Sequence, residues 1–391
     1  MIQGAECKVH EIADSIFQAM KNQELESTGL GLLSGKMGII YFSALYLKLF
    51  PKPQQKEILD KFTDSFLDQL TNGMESYTFC NGLSGILEGL KTMNKNGIID
   101  LDYSDLDNNY APILKKFALY SISNYNYDFL HGALGILKYY NEDAGFINEV
   151  LLLLEKTAEK KDNTYRWHSL IGAERKIGCN IALSHGISSI VAVLSNLNCA
   201  SINQESRDRI IEKACNYINS QEIDPQKYGC FFPNISLEDQ DEIKRSRMAW
   251  CYGDLGVATA LWEAGKVLNN KTWKSKAIEI FTFSSKRRCQ EDTMVQDVEL
   301  CHGSASLVMM FDYIFRETEN DLFRETRDFW VNKSLELSCC TDGLAGYKTW
   351  LGPDLKWRTE YDILNGISGI GLMFLGVLYN EKKWMEFFML H

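Results

Sequence analysis

Residues 364–376 read LNGISGIGLMFLG: a polar residue, a glycine, a second glycine three places on, then an unbroken apolar run. The same pattern returns as LSGKMGI (33–39), CNGLSGI (80–86), LHGALGI (130–136), SHGISSI (184–190), CYGDLGV (251–257) and CHGSASL (301–307). Serine takes the place of the second glycine in SHGISSI and CHGSASL. The seven copies are spaced by 47 to 67 residues. A period of that size marks a structural repeat, and a repeat decides architecture ahead of local propensity.

Behind each copy runs an apolar stretch of helical length, such as Ile39–Phe50, Val257–Leu268 and Ile370–Trp384. Ahead of each lies an amphipathic stretch: Val9–Met20, Gln54–Leu70, Ala111–Ile122, Phe146–Glu159, Arg207–Ile218, Trp273–Ser285 and Leu322–Leu337. In Gln54–Leu70 the apolar residues Ile58, Phe62, Phe66 and Leu70 recur at four-residue steps, the mark of a helix with one buried face. Prolines 51, 53, 225, 233 and 353 fall between the helical runs, and Pro112 suits the first turn of its helix. The widest intervals hold two long loops, Gln221–Ser246 and Ser338–Thr359.

Helices that are apolar nearly all round need burial on several sides. A ring of helical hairpins supplies it, with apolar helices inside and amphipathic ones outside. An open solenoid would end in polar caps, yet the last copy is among the most regular. We therefore expect an all-α fold, an α/α toroid of seven inner and seven outer helices, formed by residues 1–391 as a single domain. In a ring the motifs gather at one end. The inner-helix N-termini face there, with their unpaired N–H groups and partial positive charge.

The chain has 391 residues, 45% of them hydrophobic, ample for a large core. The net charge of −11 disfavours nucleic acid, which rewards basic surfaces. MIQGAECKVHEIAD opens without a basic segment followed by an apolar one, so we expect no signal peptide. The longest apolar stretch, Ile370–Tyr379, is too short to span a bilayer. Eleven cysteines is an odd count. Without an export signal, that argues for a cytoplasmic protein with reduced thiols, some of them metal ligands or nucleophiles.

Aligning the copies exposes the chemistry. The position two before the first glycine reads Leu33, Cys80, Leu130, Ser184, Cys251, Cys301, Leu364; the next reads Ser34, Asn81, His131, His185, Tyr252, His302, Asn365. Cys251, Cys301 and His302 come from consecutive copies in equivalent loops. Two thiolates and an imidazole suit Zn²⁺ and leave a fourth position open. Such a neutral centre polarises water weakly but deprotonates an incoming thiol, which favours thiol alkylation over hydrolysis. His185 is a candidate acid or base near neutral pH, or a core histidine. Asp128 is a candidate to orient it, or a helix cap; Asp362 has the same place in its own copy. Arg247 is placed to stabilise an enolate, or is a surface charge. Tyr252 is a hydrogen-bond donor beside the ligand, or packing. Cys80 and His131 read as structural.

AWCYG (249–253), LCHG (300–303), SHG (184–186) and the Tyr127–Asp128 pair ahead of Gly132, on seven repeats, resemble the lanthionine synthetase C-like family over essentially the whole chain. The resemblance implies an α/α toroid with zinc on Cys251, Cys301 and His302. It implies His185 and Asp128 as acid/base residues, with Arg247 and Tyr252 beside the metal. The reaction implied is Michael addition of a peptide cysteine thiolate to dehydroalanine or dehydrobutyrine, giving a thioether ring. The implied partners are a dehydrated precursor peptide, a dehydratase and an exporter. Leu255 stands where the family often has proline, and Ser189 and Ser306 where it usually has glycine. Two other readings compete: addition of glutathione to dehydroamino acids, and a zinc-stabilised peptide-binding scaffold whose fourth ligand would be Cys230 or Cys339. An Asp128–Asp254 pair serving sugar cleavage would leave the Cys–Cys–His set unexplained.

Overall fold

The computed structural model describes residues 4–74, 76–171, 176–197 and 199–391. Seven helix pairs carry the repeat. They are α1 Ala5–Lys21 with α2 Lys36–Leu49, α3 Pro53–Thr71 with α4 Leu83–Lys95, and α5 Ser104–Ser123 with α6 Ala133–Tyr139. After them come α7 Ala144–Thr157 with α8 Ile187–Ser195, α9 Gln204–Ser220 with α10 Asp254–Val267, α11 Lys271–Ser284 with α12 Ser304–Thr318, and α13 Asp321–Glu336 with α14 Ile367–Tyr379. The second helix of each pair is sheathed in protein: every residue is buried from Asp254 to Gly265, from Ser304 to Ile314 and from Ile367 to Gly376. The first helix shows one face. On α3 only Leu59, Phe66 and Leu70 are buried, and Ile58 and Phe62 are half-buried. Phe66 and Leu70 are thus as the four-residue step suggests, and toward the start of the helix Leu59 is more deeply buried than Ile58.

The apolar helices begin three residues earlier than their hydrophobic runs. The first glycine of each motif is the N-cap, and the second lies inside the first turn. There a side chain has no room. A Cβ on Gly85 would sit 1.9 Å from the Phe79 carbonyl oxygen, and one on Gly369 2.0 Å from that of Ile363. Glycine costs helix stability, but in these copies it lets the motif loop fold tightly against its own helix; Ser189 and Ser306 are the small residues at the same place in two other copies. Pro112 also differs from expectation. It lies well inside α5, because the helix starts at Ser104, whose N–H is taken by the Asp102 carboxylate at 2.9 Å. The proline therefore removes one bond from the middle of the helix.

Two compact units divide the chain, one comprising residues up to Asn108 together with Val295–Phe388, the other Asn109–Met294 with Met389–His391. In the first unit α2 packs on α4 and on α14, and α14 packs on α12. Copies six, seven, one and two are therefore successive neighbours, and the last copy meets the first. A ladder of main-chain bonds follows the same order through equivalent positions. Cys301 N–H donates to Leu364 at 3.1 Å, Leu364 to Leu33 at 2.8 Å and Leu33 to Cys80 at 2.9 Å. An open stack would leave its two ends apart. In the second unit α8 packs between α6 and α10 and also on α9. The same rung recurs there, from Ser184 N–H to the Cys251 carbonyl at 3.3 Å.

Among the described residues three short antiparallel strand pairs interrupt the helices: β1 Glu159–Lys161 with β2 Thr164–Arg166, β3 Ser169–Ile171 with β4 Lys176–Gly178, and β5 Thr349–Trp350 with β6 Trp357–Arg358. The last is pinned to the first unit by Trp350 N–H on Asp297 Oδ2 (2.7 Å) and by the Thr349 hydroxyl on the Asn365 carbonyl (2.5 Å). No helix among the described residues is long and apolar enough to cross a membrane.

Candidate metal centre

The thiols lie in the loops that end at the N-cap glycines of α10 and α12. Cys251 is buried, and its carbonyl accepts both the N–H and the hydroxyl of Ser184, at 3.3 and 3.0 Å. The turn after it needs Gly253, which has φ +91° and whose Cβ would lie 2.0 Å from the Arg247 carbonyl oxygen. Cys301 is half-buried and held by its rung to Leu364. Both cysteine backbones are thus fixed by bonds to other copies of the motif.

His302 follows Cys301 and turns its Nδ1 toward Glu299, 2.5 Å from Oε1. The other Glu299 oxygen accepts the Asn365 side-chain amide. Asp297 sits just behind, accepting the Glu299 N–H at 3.3 Å. Burial, and then the Glu299 charge, push the Asp297 carboxyl up to about 7. Asp362 is also pushed up to about 7, chiefly by burial; its Oδ1 accepts the Asn365 N–H at 2.8 Å.

In the second unit His185 Nδ1 lies 2.6 Å from Asp128 Oδ2. Asp128 Oδ1 accepts the main-chain N–H of His131 at 2.8 Å. The carboxylate therefore both caps its own motif and reaches the next one. Burial pulls the His185 imidazolium down, but the Asp128 hydrogen bond, the Asp128 charge and the Cys251 charge outweigh it, so its pKa is raised. Burial raises Asp128, and the hydrogen bond and charge of His185 overcome that and hold it below the usual range. Each partner thus favours the charged form of the other. Tyr252 stands beside it, its ring 5.7 Å from that of His185 and its hydroxyl accepting from Asn180 at 3.3 Å. Arg247 is half-buried.

Asp254 is no partner for Asp128 in acid/base work. It is wholly buried and accepts the N–H groups of Phe231 and Phe232, each at 3.0 Å, with Arg287 at 3.7 Å. It anchors the long loop to the start of α10. Cys80 is buried and its carbonyl takes the rung from Leu33, a structural role. His131, read from the sequence as structural, lies nearly parallel to His185 with ring centroids 6.2 Å apart. Its place one before the motif glycine, shared with His185, was the available clue.

Cys251, Cys301 and His302 form a Cys–Cys–His group whose ligand atoms could hold a metal ion. Among the described residues that group contains neither Cys230 nor Cys339. The Cys230 thiol instead accepts the Ser246 N–H at 3.3 Å. The chemistry of the donors fits zinc. Two soft thiols and one imidazole suit the ion, and a carboxylate against one ring nitrogen is how metal-ligating histidines are commonly oriented.

Repeat, rungs and donor set together define a class. The family model described as "Lanthionine synthetase C-like protein" matches residues 26–390, and the chain belongs to that family. Among its curated relatives is the nisin biosynthesis protein NisC of Lactococcus lactis subsp. lactis, 22% identical over 352 residues, 80% of each chain. The solved structure of nisin cyclase superposes with a TM-score of 0.75 at 19% identity, covering 97% of both chains. That likeness shows the fold to be the expected α/α toroid.

Proposed function

We propose that this chain is a lanthipeptide cyclase that closes thioether rings by adding peptide cysteine thiols to dehydroalanine or dehydrobutyrine. Membership of the family over residues 26–390 supports the reading. The observation that carries it is the Cys–Cys–His donor set, together with the hydrogen-bonded His185–Asp128 pair. Cys251, Cys301 and His302 would hold Zn²⁺, which acidifies a thiol entering its open position.

The remaining work falls to the chain's own side chains. The thiol sulfur forms a bond to the β-carbon, the alkene electron pair moves toward the neighbouring carbonyl, and the α-carbon takes a proton. Sulfur loses one proton and carbon gains one, so no oxidant or leaving group is needed. His185, kept protonated by Asp128, supplies the proton to the α-carbon. Arg247 offers positive charge to the enolate oxygen as it develops, and Tyr252 fixes the approach to both. A ribosomal peptide contains no such alkene, so a dehydration must precede this step, and the dehydrated precursor peptide is the substrate. A purely structural zinc would want a fourth protein donor.

Thiol capping of a dehydrated candidate peptide tests the proposal. The protein should consume free thiols without changing peptide mass. Cys301→Ala should lose both zinc and ring closure, while His185→Asn should keep zinc and slow turnover. Stoichiometric zinc in Cys301→Ala would defeat the ligand assignment, and an undiminished rate in His185→Asn would remove its role.

A further inference from the structure

The motif position four before the first glycine carries a carboxylate in three copies: Asp128, Glu299 and Asp362. The two aspartates behave alike. Each uses one oxygen to accept the main-chain N–H three residues on, His131 for Asp128 and Asn365 for Asp362, both at 2.8 Å. Glu299 is one methylene longer and does something else. It passes by the backbone and reaches the imidazole three residues on, with Oε1 2.5 Å from His302 Nδ1.

The carboxylate is fully buried, while the His302 side chain keeps 24% of its surface exposed. Everything around the carboxylate is fixed. Its carbonyl accepts the N–H groups of Gly303 and Ser306, at 3.0 and 3.3 Å, which locks it to the start of α12. A side chain at Gly303 would come within 2.4 Å of the Glu299 nitrogen. Its second oxygen takes the Asn365 amide, and Asn365 is itself held by Asp362 at its N–H and by Thr349 at its carbonyl. A carboxylate 2.5 Å from Nδ1 favours the tautomer with its proton there and its lone pair on Nε2.

We propose that Glu299 is the positioning residue of the metal centre: it sets the ring orientation and tautomer of His302, and Asn365 of the following copy holds it there. The inference rests on the zinc reading above. Glutamate rather than aspartate stands in this copy because only the longer side chain can leave the capping role and support a ligand.

The test is zinc affinity, read by competition with a chromophoric chelator, together with the visible spectrum of the Co²⁺-substituted protein. Glu299→Asp should revert to capping and release the imidazole. A loss of roughly 10- to 100-fold in zinc affinity is expected, the usual cost of losing such a partner, with a shifted cobalt spectrum. Glu299→Gln keeps the length and one acceptor and should lose less. Asn365→Ala, at a half-buried position, guards against misfolding of the Glu299 variants and should also weaken zinc. Affinities and spectra equal to the parent in folded Glu299→Asp and Asn365→Ala would overturn the proposal and leave the zinc reading standing. A parent protein without zinc would remove both.

Discussion

Replacing Asp128 by asparagine isolates the link between the carboxylate and His185. Asparagine retains an oxygen for the His131 N–H, so the motif turn survives, while the charge facing His185 Nδ1 at 2.6 Å is lost. The two side chains are 19% and 27% exposed, so solvent screens the pair only in part. A hydrogen bond to a charged group contributes about 1.5–3 kcal/mol. At about 1.4 kcal/mol per factor of ten, turnover should fall between roughly tenfold and a hundredfold. The pH profile carries the sharper prediction. Asp128 raises the His185 pKa against the pull of burial. Without it, only the Cys251 charge opposes burial and the pKa falls. The protonated donor is then lost at lower pH, so the alkaline limb of turnover should move to lower pH, with zinc content unchanged. The assay is ring closure followed by thiol capping across the neutral range for parent and variant. A rate loss with both profiles parallel would mean that Asp128 only shapes the loop, and the acid role of His185 would fall with it.

Gly85→Ala should destabilise the fold, since the new Cβ meets the Phe79 carbonyl oxygen at 1.9 Å; about 1–3 kcal/mol is expected for overpacking against backbone. A urea midpoint equal to the parent's would refute the tight-turn account of the motif. Asp362 binds its proton more tightly folded than unfolded, with a pKa of about 7 against 3.8. Stability should therefore fall as pH rises between those values, by up to about 1.4 kcal/mol per pH unit from this group. Asp362→Asn should flatten that decline and surpass the parent above neutrality in denaturant midpoint, and identical slopes would count against it.

The sequence exposed what repeats and hid what does not. Seven aligned glycines located every apolar helix because the backbone demand recurs: an N-cap, then a small residue in the first turn, glycine in five copies and serine in two. It placed the helix starts three residues late, because hydrophobicity begins only after that second small residue. Leu33, Cys301 and Leu364 share a column for a backbone reason, the rungs joining their copies, which no side-chain pattern announces. Hairpins two or three residues deep leave too short an alternation to read. Glu299 was missed for a different reason. An acidic residue ahead of a cysteine reads as surface charge or as a cap, and Asp128 and Asp362 do cap. The available clue was the departure from aspartate: in a column where two copies spend a short carboxylate on an N–H, the copy bearing Cys–His has a longer one. A change of one methylene within a repeat column leaves the backbone task to other groups. It frees the side chain to bear on a neighbouring side chain, here His302 of the Cys–Cys–His group.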